Sequence, residues 1–348
     1  MKHFFKTILR QSYLKWKKFK KESPLFQSLI YSFDNKSSFE KIDQHERMLA
    51  DTTRMDIYFR AIQKYVKDGD TVVDLGTGTG ILAFFASQRN VKKVYAIDHG
   101  NVINYAKKVA EANNLKNIEF IQQHSGQFNP PEKIDVILHE QIGDFLINED
   151  MIRNLLDLKK RLLKSGGIML PSIFEMYFEP ITMAPGRNTP FLWEHNFNGI
   201  DYSPTKDFLN SDESPLSKPE IFIYIQPGDA ESFLANPKPV TKFDIMQIDN
   251  DIFLKELTFE QKIVKNGKLD GFALYFRIIF DEELVIDNSP FEKPTHWLPS
   301  IFRVEPVELR EGDMLRINLN IPDPTNEELW NFNFEKVRIE ENSLLTET

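Results

Sequence analysis

The stretch "TVVDLGTGTGILAFFASQRNVKKVYAID", residues 71–98, decides the fold. Its first five residues form a short apolar run rich in β-branched side chains, the pattern of a strand buried on both faces. The chain then turns through Gly76, Gly78 and Gly80, continues as the helical pattern "ILAFFASQRN", and returns as a second strand in "KKVYAID". Strand, turn, helix and strand make one βαβ unit, the building block of a parallel sheet. Glycines belong where backbone must approach a ligand closely or take a positive φ. A dinucleotide fingerprint would carry its third glycine at position 81, but Ile81 stands there and the spacing is G-x-G-x-G. Read alone, the unit also fits a different nucleotide or no ligand at all.

The alternation extends in both directions. Met55, Phe59, Ile62 and Val66 recur at helical spacing ahead of the turn "KDGD". Downstream follow a helix in "NVINYAKKVAEANN", strands in "IEFIQQ" and "IDVIL", and a helix in "EDMIRNLLDLKKRLL" that the glycine pair of "KSGG" is expected to stop. After Pro171 the pattern changes to β-runs separated by turn residues: "FEMYFEPI", "IFIYIQ", "FALYFRIIF", "IFRVEPVEL", "MLRINLNI" and "FNFEKVRI". The expected organisation is a basic, helical extension over 1–44, an α/β Rossmann-like domain over 45–172, and an all-β, barrel-like domain over 173–348. An aromatic, irregular insertion interrupts the β-domain at about 189–210.

Composition narrows the function classes. Of 348 residues, 41% are hydrophobic and 27% charged, and no apolar run reaches the roughly 18 residues needed to cross a bilayer. A net charge of −9 disfavours nucleic-acid binding, which depends on neutralising phosphates, and suits a cationic partner. There is no cysteine, which removes disulfides, thiolate nucleophiles and Cys-based metal sites, and no metal-ligand pattern takes their place. A cytoplasmic location is expected. Residues 1–22 run against the acidic balance with eight Lys/Arg and one Glu. Such a basic amphipathic segment fits either weak peripheral contact with an anionic membrane or partner, or packing on its own protein.

Two acidic residues follow the fourth strand in "HEQIGDFLINED" (139–150), and they are the chemically suggestive pair: Glu140 and Glu149. Two carboxylates can grip the fork of a guanidinium and leave one nitrogen presented to an electrophile. Glu149 read alone also fits an acid at a helix N-terminus.

The G-x-G-x-G turn after Asp74, with Asp98 closing the next strand, resembles motif I of class I S-adenosylmethionine-dependent methyltransferases. "HERMLADTTR" (45–54), "HEQIGDFLINEDM" and "PTHW" (294–297), in this order, resemble protein arginine methyltransferases over about 45–322. The resemblance implies S-adenosyl-L-methionine as cofactor and an arginine of a protein or peptide as acceptor. Cofactor-binding positions would be Met48, Arg54, Asp74, Gly76, Gly78, Gly80, Asp98, His124 and Ser125. Arg54 would meet the methionyl carboxylate, Asp98 the ribose hydroxyls, Met48 would line the reaction pocket, and His124 with Ser125 would lie at the adenine edge. Glu140 and Glu149 would hold the guanidinium, and its proton would pass to Glu149 or to a relay of Asp51 and His296. The resemblance further implies a homodimer, with the insertion around Trp193, Phe197, Tyr202 and Phe208 as the embracing arm; a lid folded on its own barrel is the other reading. The chain departs from the family pattern at Gln141 and Ile142, where Trp and Met are usual, and in "YSFDNKSSFEKIDQ", where Phe39 stands in place of paired tyrosines. Two other functions stay open on the sequence: N- or O-methylation of a small molecule, and an idle methyltransferase fold used as a scaffold.

Overall fold

The computed structural model describes residues 42–210, 221–249 and 255–337. The basic segment 1–22 and Phe39 lie outside the described residues. Two helices come first, α1 (Ile42–Ala50) and α2 (Thr52–Tyr65), followed by strand β1 (Thr71–Leu75), helix α3 (Ile81–Ser87), strand β2 (Lys93–Asp98), helix α4 (Ile103–Ala112) and strand β3 (Ile118–Gln122). Strand β4 (Ile134–His139), helix α5 (Met151–Leu162) and strand β5 (Leu163–Leu170) complete this half. Its five strands are all parallel, in the order β3-β2-β1-β4-β5. Because the order reverses at β1, the crevice beyond the carboxyl ends of β1 and β4 is where such a sheet receives a ligand.

Local sequence explains the elements. β1 is buried at every position, as an apolar strand under helices on both faces must be. Helix α2 starts at Asp51, whose side chain accepts the backbone N–H of Arg54 at 2.9 Å and so satisfies an otherwise orphaned donor.

Two local expectations are corrected. The inward face of α2 is Arg54, Tyr58, Ala61 and Ile62, whereas Phe59 points outward at 37% exposure. Tyr58 takes the inner position because its hydroxyl donates to the His139 carbonyl at 3.1 Å while its ring packs edge-on against Phe280. Nor does "KSGG" stop a helix. Helix α5 ends at Leu162, and the four residues lie within β5, where the register against β4 slips between Ile134 and Val136. Gly166 has φ +78°, and a Cβ on Gly167 would come within 2.9 Å of the Asp135 carbonyl, so the glycines form a bulge.

The second half is antiparallel. Strand β6 (Ile173–Met183) leads into a short hairpin of β7 (Asn196–Phe197) and β8 (Ile200–Asp201), then helix α6 (Thr205–Asn210). Strands β9 (Phe222–Tyr224), β10 (Ala230–Phe233), β11 (Thr241–Asp244), β12 (Glu256–Lys262), β13 (Gly267–Ile279) and β14 (Val285–Asp287) follow, then β15 (Ser300–Leu309), β16 (Met314–Asn320) and β17 (Asn331–Val337). A seven-stranded sheet runs β10-β6-β13-β15-β9, with β11 also beside β6 and β14 beside β13. A three-stranded sheet, β12-β16-β17, faces it. Between them Phe178, Phe272 and Phe302 are fully buried, and Phe178 stacks on Phe272 with centroids 5.1 Å apart. Each such ring is worth about 1.5–3 kcal/mol on removal from water. The fold is thus a Rossmann-like α/β half followed by a barrel-like β-half. One continuous apolar core runs through both, from Val73 and Ile137 through Phe145 and Phe174 to Phe276 and Trp330.

Candidate active site

The turn after β1 is shaped by its glycines. Gly76, Gly78 and Gly80 all have positive φ, at +69°, +53° and +95°, and a Cβ on Gly80 would collide with the Phe84 ring. Asp74 is fully buried below the turn and ties it down, its Oδ2 accepting from the Thr77 hydroxyl at 2.6 Å and from the Ala83 N–H at 3.0 Å. Burial pushes the Asp74 carboxyl up to about 7 against those two hydrogen bonds. Asp98 binds backbone on both oxygens, taking the Gly78 N–H at 2.9 Å and the Gly100 N–H at 2.7 Å. Each carboxylate oxygen keeps a second lone pair, which leaves acceptor capacity for a hydroxyl of a bound ligand.

Above this turn opens a cleft lined among others by Met48, Arg54, Gly76, Asp98, Glu140 and Glu149. Its lining also contains His45, Thr77, Thr79, His99, Gly100 and Gln141, which were not among the expected positions. His45 had a signal in the sequence, since it opens the segment "HERML"; its ring packs on the turn, 3.3 Å from where a Cβ on Gly78 would sit. His124 and Ser125 are not in the lining. His124 is exposed, with Nδ1 accepting the Gly126 N–H at 3.1 Å, and its ring lies 6.4 Å from that of His99 at the cleft edge. Asp51, Gly80 and His296 are likewise not in the lining.

The loop carrying the two glutamates is closed on itself. Gly143 and Leu146 form a β-bridge, the Leu146 N–H reaches the Gly143 carbonyl at 2.8 Å, and the Asn148 side chain accepts the Phe145 N–H at 3.0 Å. Leu146 and Asp150 take positive φ, a cost of about 1–3 kcal/mol for residues other than glycine that surrounding structure must offset. Phe145 supplies that support, buried against Phe222, Phe302 and Trp330 of the β-half. Glu149 precedes α5, whose N-cap is Asp150 and whose first turn holds no acid. Glu149 thus lies one residue before the cap and outside the first turn. Burial pushes the Glu149 carboxyl up to about 8, and the charges of Glu140 and Asp144 add to the shift.

Glu140 is fixed from two sides. Arg54 Nη1 lies 2.7 Å from Glu140 Oε1, and Nη2 of the same guanidinium donates to the Met48 carbonyl at 2.7 Å. On the other side His296 Nε2 stands 3.8 Å from Glu140 Oε1. His296 is held in turn by Asp51, whose Oδ2 accepts its backbone N–H at 2.8 Å and lies 3.1 Å from its Nδ1. With the proton placed on Nδ1, Nε2 is left free to accept one near Glu140. Burial pushes the Asp51 carboxyl up, but the hydrogen bonds from His296 and the Arg54 N–H outweigh it and leave the group below its ordinary value. Trp297 packs against His296 with its ring tilted by 43° and donates its indole N–H to the Ile142 carbonyl at 2.8 Å, which joins the β-half to the glutamate loop. The structure therefore brings Asp51, Arg54, Glu140 and His296 into one network, although they come from three separate stretches of the chain.

Comparison with known proteins agrees in both halves. Residues 50–175 match the family model for ribosomal protein L11 methyltransferase (PrmA), and residues 175–334 match that for the arginine methyltransferase oligomerization subdomain. The chain is 30% identical over 303 residues to protein arginine N-methyltransferase PRMT10 of Arabidopsis thaliana, covering 78% of each. It is 29% identical over 281 residues to protein arginine N-methyltransferase 6 of Danio rerio, covering 77% of this chain and 78% of that one. Among solved structures, Arabidopsis thaliana protein arginine methyltransferase 10 superposes with a TM-score of 0.68 at 26% identity, over 82% of this chain and 89% of that one. The Trypanosoma brucei PRMT1 enzyme-prozyme heterotetrameric complex with AdoHcy gives a TM-score of 0.68 at 24% identity, over 81% and 89%.

Proposed function

The chain belongs to the protein arginine N-methyltransferase family, and we propose that it transfers a methyl group from S-adenosylmethionine to a guanidinium nitrogen of an arginine in a protein or peptide. The observation that carries this reading is that Glu140, fixed by Arg54, and Glu149, whose carboxyl is pushed up to about 8, line the same cleft. An arginine side chain is always cationic and a poor nucleophile, so a pocket for it needs anionic oxygen on more than one side.

The residues present fit the cofactor. Arg54 Nε is a buried N–H with no partner, the kind of donor an incoming carboxylate completes, and the glycine turn leaves room for close backbone approach. Arg54 would thus hold the methionyl end and Asp98 the ribose, with Asp74 keeping the turn in shape. When bound, the cofactor supplies an electrophilic methyl group on sulfur. Glu140 orients the acceptor nitrogen, and a guanidinium entering beside Glu149 would drive the proton off that carboxyl and pair with it. Once methylated, the nitrogen must lose a proton. Glu149 can take it, as can His296 Nε2, which Asp51 holds in the accepting tautomer.

The reading divides the chain at about residue 172 into a cofactor half and a β-half. It also takes the excursion at 189–210 as a dimerisation arm, because Phe197 is 58% and Ile200 63% exposed there, a pair of apolar side chains in want of a partner surface. No helix among the described residues is long and apolar enough to cross a membrane. The cysteine-free sequence fits a reducing, cytoplasmic setting. Incubation with methyl-labelled S-adenosylmethionine and either arginine-rich peptides or a metabolite extract tests the proposal. Label on peptide guanidinium supports it; label confined to small molecules overturns it.

A further inference from the structure

Helix α2 touches the β-half at four levels along one face. Asp51 bonds His296, the Arg54 guanidinium lies 5.6 Å from the Trp297 ring centre, Tyr58 packs on Phe280 with centroids 5.0 Å apart, and Tyr65 reaches Asp281. Steps of three, four and seven residues keep these positions on a single stripe. At ~1.5 Å per residue the stripe is about 21 Å long, with the reacting groups at one end and Asp281 at the other.

The far end is a clamp. Asp281 Oδ2 accepts from Lys64 Nζ at 2.8 Å and from the Tyr65 hydroxyl at 2.6 Å, while Oδ1 accepts the Glu283 and Leu284 N–H groups at 2.8 and 3.0 Å. Both carboxylate oxygens are therefore doubly engaged, one with the helix and one with the turn between β13 and β14. The bonds from Lys64 and Tyr65 hold the carboxyl well below its ordinary range. Lys64 is half exposed, so the ion pair alone stabilises the fold little. Its geometry does more, because it fixes the far end of a helix whose middle is anchored by Tyr58, Ala61 and Ile62, and without it the helix can tilt about that middle. Any pivot shifts Arg54 relative to Glu140 and Asp51 relative to His296.

We propose that Asp281 is a positioning residue for the transfer reaction, setting the tilt of α2 from the end remote from the cleft and so the places of Arg54 and Asp51. This inference rests on the function proposed above. A misplacement of ~1 Å at a reacting group is enough to cost about two orders of magnitude in rate, so a slight tilt is sufficient.

The test is a full-length chain carrying Lys64→Met with Tyr65→Phe, which removes the helix side of the clamp and leaves the turn bonds of Asp281 in place. We expect the Kd for S-adenosylhomocysteine, measured by titration calorimetry, to weaken about fivefold and kcat to fall by a similar factor, with the circular dichroism spectrum unchanged. A merely structural clamp would lower Tm and the folded fraction but leave the Kd of the folded protein as it was. An unchanged Kd therefore overturns the proposal. Should the double variant not fold, Asp281→Asn takes its place; its one amide oxygen can keep the turn bonds from Glu283 and Leu284 while its amide nitrogen no longer accepts from Lys64, and an effect of the same sign is expected. A wild-type chain that fails to bind S-adenosylhomocysteine would overturn the proposed function instead, before any variant is compared.

Discussion

Asp51 and His296 stand 245 residues apart in the chain and meet twice, the Asp51 Oδ2 lying 2.8 Å from the His296 backbone nitrogen and 3.1 Å from its Nδ1. The same aspartate caps α2 through its other oxygen. One side chain thus starts the helix that carries Arg54 and orients the imidazole of the other half.

Asp51→Asn separates those duties. The amide oxygen still accepts the Arg54 N–H, so the helix cap survives, but an amide nitrogen then faces His296, whose backbone N–H loses its acceptor and whose ring loses the neighbouring negative charge. kcat should fall by about 10²-fold, the scale of a misdirected general base, with stability at neutral pH reduced by about 1 kcal/mol. Because the Asp51 carboxyl lies below its ordinary value, its contribution to stability is present above the unfolded value of 3.8 and disappears as pH falls through the lower folded value. Denaturant titrations of both proteins at pH 7 and pH 3 should therefore show a smaller gap at the lower pH.

Glu140→Gln should abolish turnover, by about 10²–10³-fold in kcat, because a neutral amide no longer pairs with the incoming cation. The ribose contact is untouched and Arg54 is released from its salt bridge, so cofactor affinity should stay within about threefold. Calorimetry with S-adenosylhomocysteine checks the second half of the expectation and radiolabel transfer the first.

The carboxyl of Glu149 predicts a pH profile. In the free protein it is protonated below about 8, and a cationic acceptor must displace that proton. kcat/KM for the peptide should rise with pH through neutrality and level off near 8, whereas a profile flat from pH 6 to 9 would contradict the assignment. Glu149→Gln should remove the ionisation along with most of the activity.

Asp98→Ala should act on the cofactor first. It removes the acceptor for two backbone N–H groups, at Gly78 and Gly100, and so loosens the turn as well as the proposed ribose contact. We expect Kd for S-adenosylhomocysteine to weaken by more than tenfold, about 1.4 kcal/mol or more, with the residual kcat at saturating cofactor much less affected.

The parts of this molecule that repeat a short period could be read directly. The βα alternation located β1 to β4 of the parallel sheet, and the aromatic runs located the long strands of the β-half, because burial on a sheet leaves a local pattern. Tyr58 and Phe59 show where period alone failed: both are aromatic, and only a hydrogen bond to His139 and a partner ring at Phe280 decide which turns inward. "KSGG" failed for a related reason, since a glycine pair serves a helix end and a strand bulge equally well until the neighbouring strand is known. At the site, Glu140, Arg54 and His296 were legible through motifs, but their mutual contacts were not, because each depends on three distant segments being folded together. His124 and Ser125 were placed by analogy of position, and the cleft lining turns to His99 and Gly100 instead.

Phe145 carries a last consequence. It is the only large ring in the loop between the glutamates, and it is seated among Phe222, Phe302 and Trp330. A gene truncated after residue 172 would leave that ring bare to water along with the surface that received it, and the loop would lose the anchor that keeps its unfavourable backbone angles in place. Neither fragment should be recoverable as a soluble, cofactor-binding unit, and grafting a foreign barrel onto this α/β half would require rebuilding the Phe145 socket before any methyl group could be moved.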